Sequence, residues 1–331
     1  MNKKTKLSIK KITISLGIIM ILLLSTAISI FAYYTNKINK ISIDNKKILP
    51  KEVTLHEHDS DNTSMQNKVT DKYIKNLALL GIDSGEDNIG RSDCILIATL
   101  DTEHDKIKLS SIIRDSYVTI PTRSSKDKIN HAYAFGGAEL TLQTLNNTFD
   151  LDIKQFVSVN LSSFPKIIDA IGGLTLDINN DELKYINEYI HSLNEANGTS
   201  SPDITESGIQ SVDGTQALAY SRIRYTSGGD FERSHRQRIV IEQLLNKLKE
   251  LPVIKYPDAL DILLPMVDTN LTSSEILSLC FDLSSLNNYQ IIEERFPKDE
   301  DAQGKSINGI YYYVFDEDAT REKLHDFIYE N

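Results

Sequence analysis

The sequence predicts an α/β protein: a layered α-β-α domain around a mixed central sheet, after an N-terminal transmembrane helix. Three observations lead there. An uncharged run from Ile12 to Tyr34 opens the chain behind a lysine-rich tail. Beyond residue 72, short apolar runs rich in β-branched residues alternate with longer stretches of helical period. Strands and helices interleaved in this way pack as layers, and no internal repeat recurs that would indicate a solenoid or propeller.

Taken in order, residues 1–11 carry Lys3, Lys4, Lys6, Lys10 and Lys11 and read as a cytoplasmic tail. The 12–34 run makes a helix of about 34 Å, enough for a hydrocarbon core of about 30 Å. Tyr33 and Tyr34 close it as interfacial aromatics do. The basic tail predicts a single-pass cell-membrane protein with its N-terminus inside and its domain outside, although Lys37, Lys40, Lys46, Lys47 and Lys51 follow the span. A cleaved signal peptide is the rival reading, with Ser25-Thr26-Ala27 as its small-residue site. The length of the apolar run favours a retained anchor. Residues 35–72 are polar and aperiodic and read as an extracellular tether. Within it His56 and His58 read as solvated rather than as metal ligands.

Residues 73–331 read as one domain. Strands are expected at 76–82, 94–100 and 107–113, the last continuing through 117–120 to Pro121. A helix over 132–147 follows, then a strand at 156–160, a helix at 162–171 and a strand at 174–178 after Gly172-Gly173. Residues 187–209 read as a polar excursion. Asp213 is placed to cap a helix over 214–220. Gly228-Gly229 forces a turn, and Asp230 is placed to cap a helix whose buried stripe is Ile239, Val240, Leu244, Leu245 and Leu248. Helical patterns near 256–266 and 273–283, strands at 290–296 and 310–315, and a closing helix from Ala319 complete the chain.

Charge is uneven. The net charge is −11, yet the first seventy residues are net basic, so the domain itself is strongly acidic. That argues against nucleic acid as a ligand. Cys94 and Cys280 sit in apolar runs and make no disulfide framework, so buried free thiols are expected, with a single bridge between them left open.

Against this acidic background, five of the chain's ten arginines fall between residues 222 and 238. Arginine presents a rigid fork that grips phosphate or carboxylate with two bonds. Arg233, Arg236 and Gln237 stand at i, i+3 and i+4 and share one face of the first turns of their helix, where anions are favoured. The stretch reads either as a multiply charged anion site or as a solvated basic helix. Upstream, Asp83 ends one expected strand and Asp93 begins the next. Two carboxylates at neighbouring strand ends, completed by phosphate oxygens, are a usual way to hold Mg2+; turn chemistry is the other reading. Arg114 and Asp115 interrupt an apolar strand, either as a structural ion pair or with Arg114 on an anion and Asp115 orienting it or taking a proton.

From about Asn76 to Leu245 the chain resembles the LytR-CpsA-Psr (LCP) family of Gram-positive bacteria. The resemblance rests on motifs in order: Leu-Leu-Gly-Ile-Asp83, Gly-Arg-Ser-Asp93, Ser-Ile-Ile-Arg114-Asp115 and Lys128-Ile-Asn130-His-Ala-Tyr with Gly-Gly. Ile-Gly-Gly-Leu, Asp-Gly-Thr-Gln-Ala-Leu-Ala-Tyr, Arg222-Ile-Arg224 and Gly-Asp230-Phe-Glu-Arg233 with Arg236-Gln237 follow. Cys94, Ile113 and Glu232 depart from the residues commonest in the family at those positions. The resemblance implies an enzyme on the outer side of the membrane. Such an enzyme moves a phosphoglycan, of teichoic acid, capsule or similar type, from a polyprenyl-pyrophosphate carrier to a muramic-acid hydroxyl of peptidoglycan. It implies Asp83 and Asp93 on the Mg2+ side, and Arg114, Arg222, Arg224, Arg233 and Gln237 on the pyrophosphate side. Arg236 joins the latter through its place on the helix face. Arg114, Asp115, Arg222 and Arg224 are then the candidate catalytic residues, and Asp93 or Asp115 the candidate base. The lipid would lie in an apolar groove of the core. A pyrophosphate-binding regulatory module and a lipid pyrophosphatase remain as alternatives.

Overall fold

The computed structural model describes residues 25–48, 73–83, 90–123, 125–226, 229–286 and 289–330. Most of the expected membrane span and the His56–His58 pair lie outside them. A helix covers 25–35, and among the described residues no helix is long and apolar enough to cross a membrane.

Thirteen strands are described: β1 (Asn39–Lys40), β2 (Ile74–Asp83), β3 (Arg91–Asp101), β4 (Lys106–Ile112), β5 (Tyr117–Thr119), β6 (Lys126–Lys128), β7 (Gln155–Asn160), β8 (Leu174–Ile178), β9 (Gly208–Val212), β10 (Val267–Thr269), β11 (Gln290–Phe296), β12 (Ala302–Ile307) and β13 (Ile310–Phe315). Seven of them form the central sheet in the order β1-β10-β7-β2-β3-β4-β11. β2, β3 and β4 pair antiparallel, whereas β2 with β7 and β4 with β11 are parallel. The sheet is mixed, as expected. Beyond the 25–35 helix, the α-helices are α1 (Asn45–Ile48), α2 (His131–Phe149), α3 (Phe164–Ala170), α4 (Asn180–Asn197), α5 (Gly214–Arg222), α6 (Gly229–Glu250), α7 (Tyr256–Leu263), α8 (Ser273–Ser285) and α9 (Glu317–Tyr329).

Strand alternation divides the sheet into two buried faces. Ile95, Ile97 and Ile112 point into a cluster with α2 and α9, through Leu142, Leu145, Phe149, Leu324 and Ile328. Leu100, Ile107 and Leu109 point the other way, against Ile241 of α6 and Leu279 of α8. A third cluster joins α3, α4, α5, α6 and α7 to the antiparallel β8–β9 pair. The Lys108 ammonium, 1% exposed, is buried where β4 meets the end of α9 and donates to the carbonyls of Ile328 (3.0 Å) and Glu330 (2.7 Å).

Several expectations change. Residues 39–48 are not free tether: β1 adds in parallel to β10, and Ile48 is fully buried in the α2 cluster. An apolar side chain gains about 1.5–3 kcal/mol by such burial, and the polar residues around Ile48 hide that signal in the sequence. Half of the 187–209 excursion is helix. α4 starts at an Asn179–Glu182 capping box and buries Ile186, Ile190 and Leu193, a stripe at i, i+4 and i+7 diluted by Asn and Glu. β12 was also not expected. Its turn to β13 is Asn308-Gly309, both at positive φ (52° and 81°), a hairpin signal legible in the sequence. α2 is kinked at Gly136-Gly137, which leave helical geometry. Asp230 falls within α6, which begins at Gly229. Cys280 is exposed and free, because α8 buries none of its side chains fully.

Candidate active site

At the ends of β2 and β3 and the beginning of α2 lies a cleft of about 310 Å3. Asp83, Asp93 and Asp115 bring three carboxylates to its lining, Arg91, Arg114 and Lys128 bring three cations, and Asn130 and His131 complete the wall. The register of β2 with β3 pairs Asp83 with Arg91 after a bulge at Gly81–Ile82. Antiparallel pairing of the end of β2 with the start of β3 brings both predicted metal-side carboxylates to one end of the sheet. A Cβ on Gly81 would stand 2.9 Å from the Cys94 Cβ, so glycine permits the close strand approach here.

Arg114 sits just beyond β4. Its Nη1 lies 2.5 Å from Asp93 Oδ2, and its Nε 3.5 Å from Asp115 Oδ2. Lys128 Nζ is 2.6 Å from Asp115 Oδ1, and Asn130 Nδ2 donates to Asp93 Oδ1 at 2.9 Å. The 126–131 stretch is tied to this pair through its backbone. Ile129 N donates to Ser116 O (2.9 Å) and Asn130 N to Arg114 O (3.2 Å). From the C-terminal hairpin, Tyr313 N donates to Asp115 O (2.9 Å).

α5 delivers the next arginine. Its first turn is closed by the Asp213–Gln216 capping box. Its other end points Arg222 at β2, with Nη2 3.6 Å from Asp83 Oδ1. Arg224 follows on the exposed connection to α6. Arg224 and Arg233 both act on the Tyr189 phenol, which burial pushes up while the two guanidiniums pull it down. Arg233 and Arg238 likewise pull down the Cys94 thiol, which burial pushes up to about 12, with Asp93 adding to the rise. Arg233 is therefore buried within electrostatic reach of β3, where Asp93 stands. Gln237 is half-buried one turn further along α6.

Arg236 is engaged elsewhere. Only 2% exposed, it donates from Nε to Glu182 Oε1 (2.7 Å), from Nη1 to Ile223 O (3.1 Å) and from Nη2 to Thr226 Oγ1 (2.8 Å). All three guanidinium nitrogens thus hold α4 and the 223–226 connection. Glu232, which the sequence places beside the anion site, lies 3.8 Å from Arg236 Nη2. Arg238 is bound to Glu293 of β11 (3.0 Å). The helical spacing that put these side chains on neighbouring faces does not say which face meets the core.

Arg91, Lys128, Asn130 and His131 line the cleft with no role assigned from sequence, and Glu182 was not singled out at all. The first four lie inside stretches whose motifs were visible, Gly-Arg-Ser-Asp and Lys-Ile-Asn-His. Glu182 is foreshadowed only by its capping-box position three residues after Asn179.

A family model described as the LytR_cpsA_psr family matches residues 32–326. The chain is 34% identical over 322 residues to the polyisoprenyl-teichoic acid–peptidoglycan teichoic acid transferase TagU of Oceanobacillus iheyensis, covering 92% of this chain and 90% of that one. The fold is similar to that of Bacillus subtilis TagU, with a TM-score of 0.55 and 27% identity over 78% of this chain and 99% of that one. It is also similar to Bacillus subtilis TagT (YwtF), solved with bound octaprenyl pyrophosphate lipid. There the TM-score is 0.59 and the identity 23%, over 83% of this chain and 99% of that one.

Proposed function

Because the chain belongs to the LytR-CpsA-Psr family, we propose that it transfers a phosphoglycan of the teichoic acid type from a polyprenyl-pyrophosphate carrier to peptidoglycan, with Mg2+ assistance, outside a cell membrane to which its N-terminus anchors it. The single observation that carries this reading is the cleft itself. Asp83, Asp93 and Arg114 line it together; Arg114 pairs with Asp93 at 2.5 Å, and Arg222, from a third distant part of the sequence, lies 3.6 Å from Asp83.

The lining suits a diphosphate and a divalent cation together. Its three carboxylates and three cations cancel formally, so a polyanion entering alone leaves the carboxylates uncompensated. Among the described residues no cluster of three or more acidic, His or Cys ligands gathers. Two aspartates completed by substrate phosphates are, however, the usual way Mg2+ is held. Asp83, its side chain 57% exposed, and Asp93 are the pair that would hold it. When bound, the ion neutralises charge on the phosphate oxygens. Arg114, fixed by Asp93 and Asp115, and Arg222, set by the end of α5, present guanidiniums to the charge developing on the leaving polyprenyl phosphate. Preorganised donors of this kind are the main device for phosphoryl transfer. Arg224 and Arg233, which both act on the Tyr189 phenol, are outside the cleft's lining and are assigned to the pyrophosphate through the family motif. Arg236 holds the connection that carries Arg224.

The test uses the full-length chain in detergent with a polyprenyl-pyrophosphate-linked glycan, a peptidoglycan fragment and Mg2+. Polyprenyl phosphate release and glycan attachment should appear together and vanish with EDTA. Arg224→Ala truncates an exposed side chain and should leave the circular dichroism unchanged. It should lower transfer about 10²–10³-fold, the usual effect of losing one charge-stabilising donor. Full activity in this variant would overturn the reading. Polyprenyl phosphate released equally without acceptor would indicate a pyrophosphatase, and tight binding with no release a regulatory module.

A further inference from the structure

The acceptor hydroxyl must lose a proton as it attacks phosphorus. Asp93 and Asp115 were the candidates for taking it, and both are heavily engaged. Asp93 accepts from Arg114 on one oxygen and Asn130 on the other. Asp115 faces Arg114 on one oxygen and Lys128 on the other. A proton arriving on either carboxylate removes its charge and weakens its ion pair with Arg114 or Lys128.

His131 stands on the same wall, 19% exposed at its side chain. Its Nδ1 is 3.0 Å from Asp127 Oδ1. An ionised carboxylate only accepts, so Nδ1 carries a hydrogen, and in the neutral imidazole that tautomer leaves the lone pair on Nε2. The ring is further confined by an edge contact with Phe135, centroids 5.9 Å apart. Phe135 is in turn covered by the Arg123 guanidinium at 4.3 Å. The stretch that carries the ring also supplies Lys128 to Asp115 and Asn130 to Asp93. The imidazole is thereby held rigidly relative to the two engaged carboxylates. A base, a carboxylate that orients it and a neighbouring electrophile site form the usual geometry of proton abstraction.

We propose that His131, oriented by Asp127, is the general base that takes the proton of the acceptor hydroxyl. This rests on the transferase reading above. The hydroxyl O–H proton passes to Nε2 as the oxygen forms its bond to phosphorus. The bond from phosphorus to the bridging oxygen breaks, and its electron pair leaves with the polyprenyl phosphate. The imidazolium, stabilised by Asp127, then returns its proton to solvent. Lys128 and Asn130 are positioning residues for this step.

The experiment compares full-length wild type, His131→Ala, His131→Gln and Asp127→Asn in the transfer assay, with and without imidazole. It also measures binding of the lipid pyrophosphate and the thermal midpoint of each variant. His131→Ala should lower kcat about 10²–10⁴-fold, the range for general-base removal, with lipid affinity within about twofold of wild type. Added imidazole should restore at least tenfold of the loss, which a structural role would not allow. Asp127→Asn should lower kcat with lipid affinity held. His131→Gln keeps a hydrogen bond to Asp127 without a basic nitrogen and should be as inactive as the alanine variant at an unchanged thermal midpoint. The assignment is overturned if the glutamine variant keeps kcat within about threefold of wild type. It is overturned equally if imidazole fails to rescue an alanine variant that binds lipid normally. Wild type that binds the lipid and transfers nothing would instead overturn the transferase reading on which the assignment stands.

Discussion

Arg236 shows how far residue-level patterns reach. Its i, i+3, i+4 relation to Arg233 and Gln237 is a true statement about helix geometry. Yet its guanidinium points to Glu182 and the 223–226 connection rather than to an anion. Glu182 Oε2 accepts from the Asn179 amide at 3.0 Å while Oε1 receives Arg236, so one carboxylate caps α4 and anchors the arginine. Both side chains are at most 5% exposed, and removing one partner of a buried ion pair costs about 3–5 kcal/mol. Glu182→Ala should lose stability on that scale in urea unfolding. Arg224→Ala, on the exposed connection, should change it by less than about 0.5 kcal/mol. Equal stability losses in the two variants would show that Arg236 does not depend on Glu182.

At the scale of elements, α5 is the piece whose placement decides where Arg222 goes. Asp213 was legible as its cap, and the structure adds what the helix leans on. Gly214 N donates to Asp169 Oδ1 of α3 at 2.7 Å. A Cβ at Gly214 would stand 2.0 Å from the Pro165 carbonyl oxygen. Gly214→Ala therefore cannot be accommodated without separating α5 from α3. Overpacking of this kind costs about 1–3 kcal/mol, and the shift should carry Arg222 away from Asp83. The expected outcome is a lower thermal midpoint together with reduced transfer. A variant with unchanged midpoint and activity would show that the α3–α5 contact does not set the arginine. α4 illustrates the opposite case: its cap and its stripe were both present in the sequence, but Asn and Glu between the apolar positions lowered the contrast on which periodicity depends.

Across the whole molecule, the C-terminal third braces the cleft it does not line. β11 pairs with β4, directly before Arg114, and the hairpin through β13 meets Asp115. β11 is tied to α6 by Glu293, which lies 2.7 Å from His235 and 3.0 Å from Arg238. The hydrogen bond to Glu293 raises the His235 imidazole above its usual 6.5. Burial works to raise Glu293, but His235 and Arg238 outweigh it and hold the carboxyl below its usual 4.5. A raised folded-state value for His235 gives stability that is complete below about pH 6.5 and lost as pH rises through that raised value. A lowered value for Glu293 gives stability present above about pH 4.5 and lost as pH falls through it. The thermal midpoint difference between wild type and His235→Gln should therefore be largest between about pH 4.5 and 6.5 and shrink towards pH 8. A difference that grows from pH 6 to pH 8 would contradict the pairing.

The sequence by itself determined the α/β class, most strands and helices of the central sheet and the cap of α5, and it singled out Asp83, Asp93 and Arg114, which line the cleft, and Arg222, which pairs with Asp83. These depend on period, capping and strand ends, which are local properties of the chain. Only the tertiary structure decided that Arg236 belongs to Glu182, that Arg238 belongs to Glu293, that residues 39–40 join the sheet while Ile48 enters the core, and that Asp127 pairs with His131 on the cleft wall. The physical reason is burial. A charged side chain in the interior takes whichever opposite charge the packing brings to it, and for Arg236 and Arg238 that partner lies more than fifty residues away, beyond the reach of any local pattern.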